Sequence, residues 1–170
     1  MTVRIETRRF LLRELSERDV SARYLSWFED PDAQMNISAA ATTKKLEDLR
    51  QYVAQRTGRD DVLFFGIFDK TSGAHVGNVK YEPVDSTLGY AIMGILVGDA
   101  SYRGKGVAAE VLTSSGEWLK EHRNIREVAL GVHRNNAGAI KAYEKVGYRV
   151  ASTPHIPNTS PDALTMVWSL

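Results

Sequence analysis

Tyr102-Arg103-Gly104-Lys105-Gly106-Val107-Ala108 is the stretch on which the reading of this chain turns. An apolar run from Ile92 to Val97 precedes it. A helical pattern follows, with Val107, Val111, Leu112, Ser115, Trp118 and Leu119 at the spacing of one helix face. A strand, a glycine turn and a helix start, in that order, make a cradle for a pyrophosphate. The glycines let the backbone approach the anion, unpaired amides at the helix start point at it, and the helix dipole favours its charge. Two common nucleotide motifs are excluded. A Walker loop needs Ser or Thr directly after Gly-Lys to hold magnesium, but Gly106 and Val107 follow Lys105. A dinucleotide fingerprint needs an acidic residue about twenty positions on; Asn124 and Arg126 occupy that zone, and the motif lies late in the chain.

The remaining composition narrows the class. A length of 170 residues suits a single domain, 1–170, with a sizeable core. The 22 Lys and Arg and 21 Asp and Glu are dispersed, so no basic face for nucleic acid is implied. The chain has no cysteine, which excludes disulfides, thiol chemistry and a thiolate zinc site, and no metal is expected. Met1 to Arg13 carries no apolar signal core and no run reaches the length of a membrane span, so a cytoplasmic protein without a membrane partner is expected.

Alternation over Phe10 to Leu15 predicts a first strand. Ser16 with Asp19 predicts the start of a helix carrying Val20, Tyr24, Trp27 and Phe28 and stopped at Asp30-Pro31. A second helix places Leu46, Leu49 and Val53 on one face and ends by Gly58. Val62 to Phe68 and His75 to Tyr81 read as a hairpin around Asp69 to Gly73, and Pro83 to Thr87 turns the chain into the strand that ends at Val97. Beyond the helix that reaches about His122, Glu127 to Val132 reads as a strand and Asn136 to Val146 as a helix. A strand pair, Tyr148 to Ser152 and Ala163 to Trp168, closes the chain around a loop holding Pro154, Pro157 and Pro161.

Two motifs in this order carry a resemblance. Arg103-Gly-Lys-Gly-Val-Ala108 resembles the acetyl-CoA turn of the GNAT superfamily of N-acetyltransferases, Arg/Gln-x-x-Gly-x-Gly/Ala. Asn136-Ala-Gly-Ala-Ile-Lys-Ala-Tyr143-Glu-Lys-Val-Gly147-Tyr148 resembles that superfamily's second signature, which ends in Tyr-x-Lys-x-Gly-Phe/Tyr. The resemblance covers nearly the whole chain. It implies an α/β (α+β) acyl-CoA N-acyltransferase fold, with a mixed, mostly antiparallel sheet of about seven strands, a central splayed strand pair and four helices. It also implies acetyl-CoA as the cofactor, a primary amine as the acceptor, and a monomer or homodimer.

Carried over residue by residue, the resemblance assigns roles. Backbone amides of Gly104, Gly106, Val107 and Ala108 face the pyrophosphate, with charge from Arg103 and Lys105. The strand edge Ile95, Leu96, Val97 and Gly98 pairs with the pantetheine arm, and amides near Leu96 and Val97 serve as oxyanion donors. Asn136 contacts the arm or caps its helix, and Tyr143 protonates the departing thiolate. A phenol, with an ordinary pKa near 10, holds that proton at neutral pH. The glutamate that relatives place on the strand before the turn is missing, since Ile92 and Met93 stand there. Glu82, Asp85, His75 and His133 are the candidates to act in its place through a water.

For the acceptor, Thr7-Arg-Arg-Phe-Leu-Leu-Arg13 resembles the ribosomal-protein-alanine acetyltransferase branch. Tyr24 to Pro31 and His75 to Lys80 resemble members that acetylate a nucleotide-linked amino sugar. On that reading Trp27, Asn36, Asn78, Lys80 and Glu82 contact a small-molecule amino-sugar acceptor. Acetylation of a protein N-terminus and a non-catalytic acyl-CoA-binding module are the alternatives.

Overall fold

The computed structural model describes residues 2–31, 33, 37–157 and 160–170. Its strands are β1 (Arg4–Glu6), β2 (Phe10–Glu14), β3 (Leu63–Asp69), β4 (His75–Asp85), β5 (Tyr90–Leu96), β6 (Glu127–His133), β7 (Arg149–Val150) and β8 (Ala163–Ser169). Its α-helices are α1 (Ala22–Ser26), α2 (Leu46–Ala54), α3 (Val107–Arg123) and α4 (Ala137–Val146). The strands form one sheet of eight, in the order β1-β2-β3-β4-β5-β6-β8-β7. Neighbours run antiparallel throughout except β5 and β6, which are parallel and joined through α3.

Both faces of the sheet are covered, which is why β3 is apolar at consecutive positions. Phe65 and Ile67 point into a core that contains Val111, Leu112 and Leu119 of α3. Phe64, next to Phe65 on the strand, points into a second core with Tyr24, Trp27, Phe28, Leu49 and Val53. The helices α3 and α4 therefore lie on one face and α1 and α2 on the other. Full burial of each large apolar side chain contributes about 1.5–3 kcal/mol, so the two cores together fix the curvature of the central strands.

The structure departs from the sequence reading in four places. The sheet has eight strands rather than about seven, because Arg4–Glu6 pairs with β2 in a segment too short and too charged to show a period. The helix expected after Ser16 is divided: a 3-10 turn at Glu17–Asp19, then α1 capped by Ser21, whose hydroxyl accepts from the Tyr24 amide, then a second 3-10 turn at Trp27–Glu29. Pro83 does not turn the chain. It lies inside β4 where the register with β5 shifts between Tyr81 and Val84, a bulge that needs no amide from it. The strand expected from Tyr148 to Ser152 is only Arg149–Val150.

Trp168 on β8 sits between two glycines. A Cβ on Gly116 of α3 would come within 2.2 Å of its ring, and one on Gly147, where φ is +127° at the end of α4, within 2.8 Å of its Nε1. A helix glycine replaced by alanine ordinarily gains about 1 kcal/mol, whereas overpacking a close-packed core costs about 1–3 kcal/mol. With the clash on a rigid indole, overpacking wins. Gly116→Ala is expected to lower Tm by roughly 2–4 °C, a net loss of about 1 kcal/mol for a chain of this size. A thermal melt in which Tm rises instead would show that Trp168 moves aside freely.

Candidate active site

The parallel pair parts after three residues. Tyr90, Ala91 and Ile92 of β5 are in register with Glu127, Val128 and Ala129 of β6, and pairing stops there. β5 continues to Leu96 on the arm of β4, with Val79 opposite Ile95 and Asn78 opposite Leu96. β6 continues to His133 on the arm of β8. Each strand stays bonded on its outer side, so Met93–Leu96 keeps a bare backbone edge toward β6. Buried strand amides and carbonyls require partners, and a bare edge of this kind suits an extended ligand. The gap opens into a cleft of about 560 Å³ between Met93–Val97 on one side and Leu130–Val132 on the other, with the glycine turn at one end and α4 along its flank.

The turn is built for close approach. Gly104 and Gly106 have φ of +71° and +75°, which side-chain-bearing residues rarely adopt. A Cβ on Gly104 would meet nothing within 4 Å, so its outer side is open. Gly106 caps α3, leaving the amides of that helix's first turn directed at the cleft. Two arginines hold the turn in place. Arg103 donates from Nε to the Val97 carbonyl at 3.0 Å, from Nη2 to the Gly98 carbonyl at 3.3 Å, and from Nη1 to Asp30 at 2.9 Å. Its guanidinium is thereby a strut to the end of β5.

Arg9 is the second arginine, distant from the turn in sequence. Its Nη2 donates to the Lys105 carbonyl at 2.9 Å while its Nε donates to Glu110 on α3 at 2.8 Å. The same carboxylate accepts from the Arg9 amide and the Thr7 hydroxyl. The β1–β2 turn is thus bolted to the first turn of α3. The Lys105 side chain lies apart from the cleft, in a neighbouring hollow that Arg8, Lys70 and Ser101 also line.

Asn136 and Tyr143 both line the cleft. The Asn136 side-chain oxygen accepts from the Ala139 amide at 3.2 Å and so caps α4. Tyr143 is packed edge-on against Tyr148, with ring centroids 5.9 Å apart. Burial alone pushes its phenol up to about 12, so it holds its proton across the neutral range. Gly98 is placed differently from its strand neighbours: it backs onto Trp27, whose ring a Cβ there would reach at 2.0 Å.

A second, smaller hollow of about 140 Å³ lies across β5. Gly94, Ile95 and Leu96 belong to both walls, as does Ile37. Tyr24, Phe28, Tyr52 and Phe64 supply its aromatic surface and Asn78 and Lys80 its polar groups. Of the acceptor contacts expected from sequence, Asn78 and Lys80 are in this wall. Trp27 is 5% exposed and belongs to the core. Glu82 lies behind Lys80, and Asn36 lies outside the described residues. Tyr24 and Tyr52 were missed because aromatic residues at helical spacing read equally well as packing.

The four candidate bases all have structural partners. Glu82 accepts from Arg56 at 2.8 Å and lies 3.4 Å from Lys80 Nζ; burial raises its pKa, but these two cations more than offset this and hold it below the usual carboxylate value. Asp85 accepts from the Thr87 and Leu88 amides, and His133 Nδ1 accepts from the Asn135 amide. His75 is enclosed by Phe68, Tyr24 and Trp27; burial lowers its pKa, so the ring is neutral.

Comparison with known proteins agrees with this geometry. Residues 9–149 match the family model described as the acetyltransferase (GNAT) domain. Among solved structures, a ribosomal L7/L12 α-N-protein acetyltransferase in complex with coenzyme A superposes with a TM-score of 0.84 at 15% identity, over 99% of this chain and 98% of that one. A GNAT-family acetyltransferase from Bacillus anthracis gives 0.80 at 18% identity, over 98% of each chain. An aminoglycoside acetyltransferase in complex with coenzyme A and kanamycin gives 0.74 at 20%, over 94% of each. At these identities the likeness is one of fold.

Loss of the Arg9 guanidinium should loosen the turn without unfolding the sheet, since Glu110 keeps the Thr7 hydroxyl and the Arg9 amide. Arg9→Met is expected to weaken binding of inorganic pyrophosphate by roughly 5–30-fold, the equivalent of about 1–2 kcal/mol for one charge-assisted bond. Titration calorimetry giving the wild-type Kd would show that the turn holds its shape unaided.

Proposed function

The chain belongs to the GNAT acetyltransferase family and is an N-acetyltransferase that uses acetyl-CoA; on that premise we propose that it acetylates the primary amine of a small acceptor, an amino sugar carried on a nucleotide. The observation that carries this is the shared wall. Gly94–Leu96 separates the long cleft from the aromatic hollow, so groups entering from opposite sides meet across a single strand. The hollow is small and aromatic, as suits a sugar ring, and Asn78 and Lys80 are its polar groups.

The residues present fit the cofactor. The amides of Gly104, Gly106, Val107 and Ala108 would hold a pyrophosphate, and the bare edge at Ile95–Val97 would pair with an amide-bearing arm beside Asn136. Acetyl-CoA supplies the acetyl group as a thioester. The backbone edge near Leu96 offers donors to the oxygen on which negative charge develops, and Tyr143 keeps a proton on its Oη for the departing sulfur. No residue of the chain is assigned as a dedicated base, because each candidate is already engaged and an amine entering an apolar hollow loses its proton more readily.

Three outcomes test this reading. Tyr143→Phe is expected to lower kcat roughly 100-fold, within the usual range for a positioned acid, while Glu82→Gln keeps kcat within the same order of magnitude. A dead Glu82→Gln enzyme that still bound acetyl-CoA would make that carboxylate the base. The raised phenol also fixes a sign. A group whose folded pKa lies above its unfolded value stabilises the fold fully below about pH 10 and loses that contribution as pH climbs through about 12. The kcat profile should therefore show no falling limb from Tyr143 below about pH 10. Gly94→Val, where a Cβ meets nothing within 4 Å, is expected to fold normally yet lower kcat/KM by roughly 100-fold through misplacement of the reacting groups. Full activity in that variant would separate the two hollows functionally.

A further inference from the structure

The wall of the aromatic hollow is largely apolar, and Tyr24, Tyr52, Asn78 and Lys80 bring hydrogen-bond donors to it. Lys80 Nζ donates to the Tyr52 hydroxyl at 2.7 Å, which leaves the Tyr52 O–H free to donate in turn. Asn78, 5% exposed, has its Oδ1 against His75 Nε2 at 2.7 Å. With that ring neutral, the proton sits on Nε2, the Asn78 oxygen accepts it, and the Asn78 amide hydrogens are left for the other side.

Tyr24 completes the set. It is 1% exposed, and its hydroxyl is buried with no hydrogen-bond partner among the described residues. Tyr24, Asn78 and Tyr52 all line the hollow, and the Asn78 amide is a neighbour of the phenol able to donate to its oxygen, so what the Tyr24 hydroxyl lacks is an acceptor for its own proton. A buried, unpartnered hydroxyl costs free energy unless a ligand supplies the missing partner. Charge has the same sense. Arg56 and Lys80 stand against the single carboxylate of Glu82, so one positive charge is left over, and among the described residues no free carboxylate lines the wall.

Resting on the proposed small-acceptor reading, we infer that the acceptor carries an oxyanion, a carboxylate or a phosphate, that seats against Lys80 Nζ, the Tyr24 hydroxyl and the Asn78 amide. These three donors and a net positive charge match an oxyanion, whereas a polyamine would bring further cations to a wall that cannot pair them. His75 is a positioning residue here: it fixes which way Asn78 faces.

Paired acceptors that differ only in the anion provide the test: glucosamine 6-phosphate against glucosamine, alanine against alaninamide, with spermidine as the polycation. Thiol release from acetyl-CoA is expected to favour one anionic member at least tenfold in kcat/KM, and the pair that shows the preference distinguishes phosphate from carboxylate. Lys80→Met should bring that ratio close to one, and Tyr24→Phe should raise KM for the anionic acceptor several-fold while KM for acetyl-CoA stays put. Replacing His75 with Ala should reduce the same ratio, and His75→Gln should restore part of it. Equal turnover within both pairs, a preference for spermidine, or a ratio that Lys80→Met leaves unchanged would overturn the inference while the acetyltransferase reading stood. Titration of the enzyme with inorganic phosphate and with acetate gives a readout independent of turnover. Anion binding that depends on Lys80, without turnover of any amine, would uphold the oxyanion site and count against the proposed reaction; no Lys80-dependent binding of either anion, with no turnover, would overturn the site itself.

Discussion

The cleft in this fold depends on one unmade set of backbone hydrogen bonds. β5 and β6 begin as an ordinary parallel pair and separate after Ile92 and Ala129, yet neither strand ends there. Each is carried onward by its other neighbour, β5 by β4 and β6 by β8. Two apolar cores, one on each face, hold those outer pairings in place, so the strands cannot relax toward each other without repacking both. The bare edge of Met93–Leu96 is the consequence. A polar edge at the centre of a sheet is costly in an isolated protein and useful in one whose ligand has amides of its own.

The same separation dictates where the turn must stand. β5 runs out at Leu96, a 3-10 turn at Ala100–Tyr102 leads on to Gly104 and Gly106, and the end of the strand, the glycine turn and the start of α3 all line the cleft. Glycine supplies the left-handed conformations but no stiffness. Stiffness comes from outside the motif: Arg103 ties the turn back to the Val97 and Gly98 carbonyls, and Arg9 reaches across from the edge of the sheet to the Lys105 carbonyl. Of the two motif cations, Arg103 lines the cleft while engaged in these struts, and Lys105 lines the adjoining hollow. On the proposed reading, the backbone amides of the turn and the helix end are the groups that meet an anion there.

That division explains what the sequence could disclose. The glycine turn, the Asn136 cap and Gly147 were legible because each answers a local steric or hydrogen-bonding demand: a positive φ, an orphan amide, a close indole. The family's two signatures are made of such residues. Arg9 and Glu110 were not legible, because their contact joins positions 101 residues apart and either one alone reads as a solvated charge. Tyr24 reads as core and its ring is buried there, while the hydroxyl at its end has no hydrogen-bond partner among the described residues. The helix after Ser16 failed as a continuous helix because Ser21 offers a better cap than Ser16 and restarts the chain five residues on.

The absent glutamate and the character of the acceptor hollow have a common physical origin. Burial among Phe28, Phe64 and Leu96 disfavours charge, and its effect is already visible in Tyr24, whose phenol is driven well above its ordinary value by desolvation first of all. The same medium acts with the opposite sign on an amine: it destabilises the ammonium form and releases the nucleophile. A carboxylate in the wall would reverse this by pairing with the ammonium and holding its proton in place. Glu82 is paired with Lys80 and bonded to Arg56 rather than lining the hollow. On the proposed reading, a hollow that binds its acceptor through an oxyanion and buries the amine in an apolar wall deprotonates that amine by desolvation. A general base on β5 would add little to it.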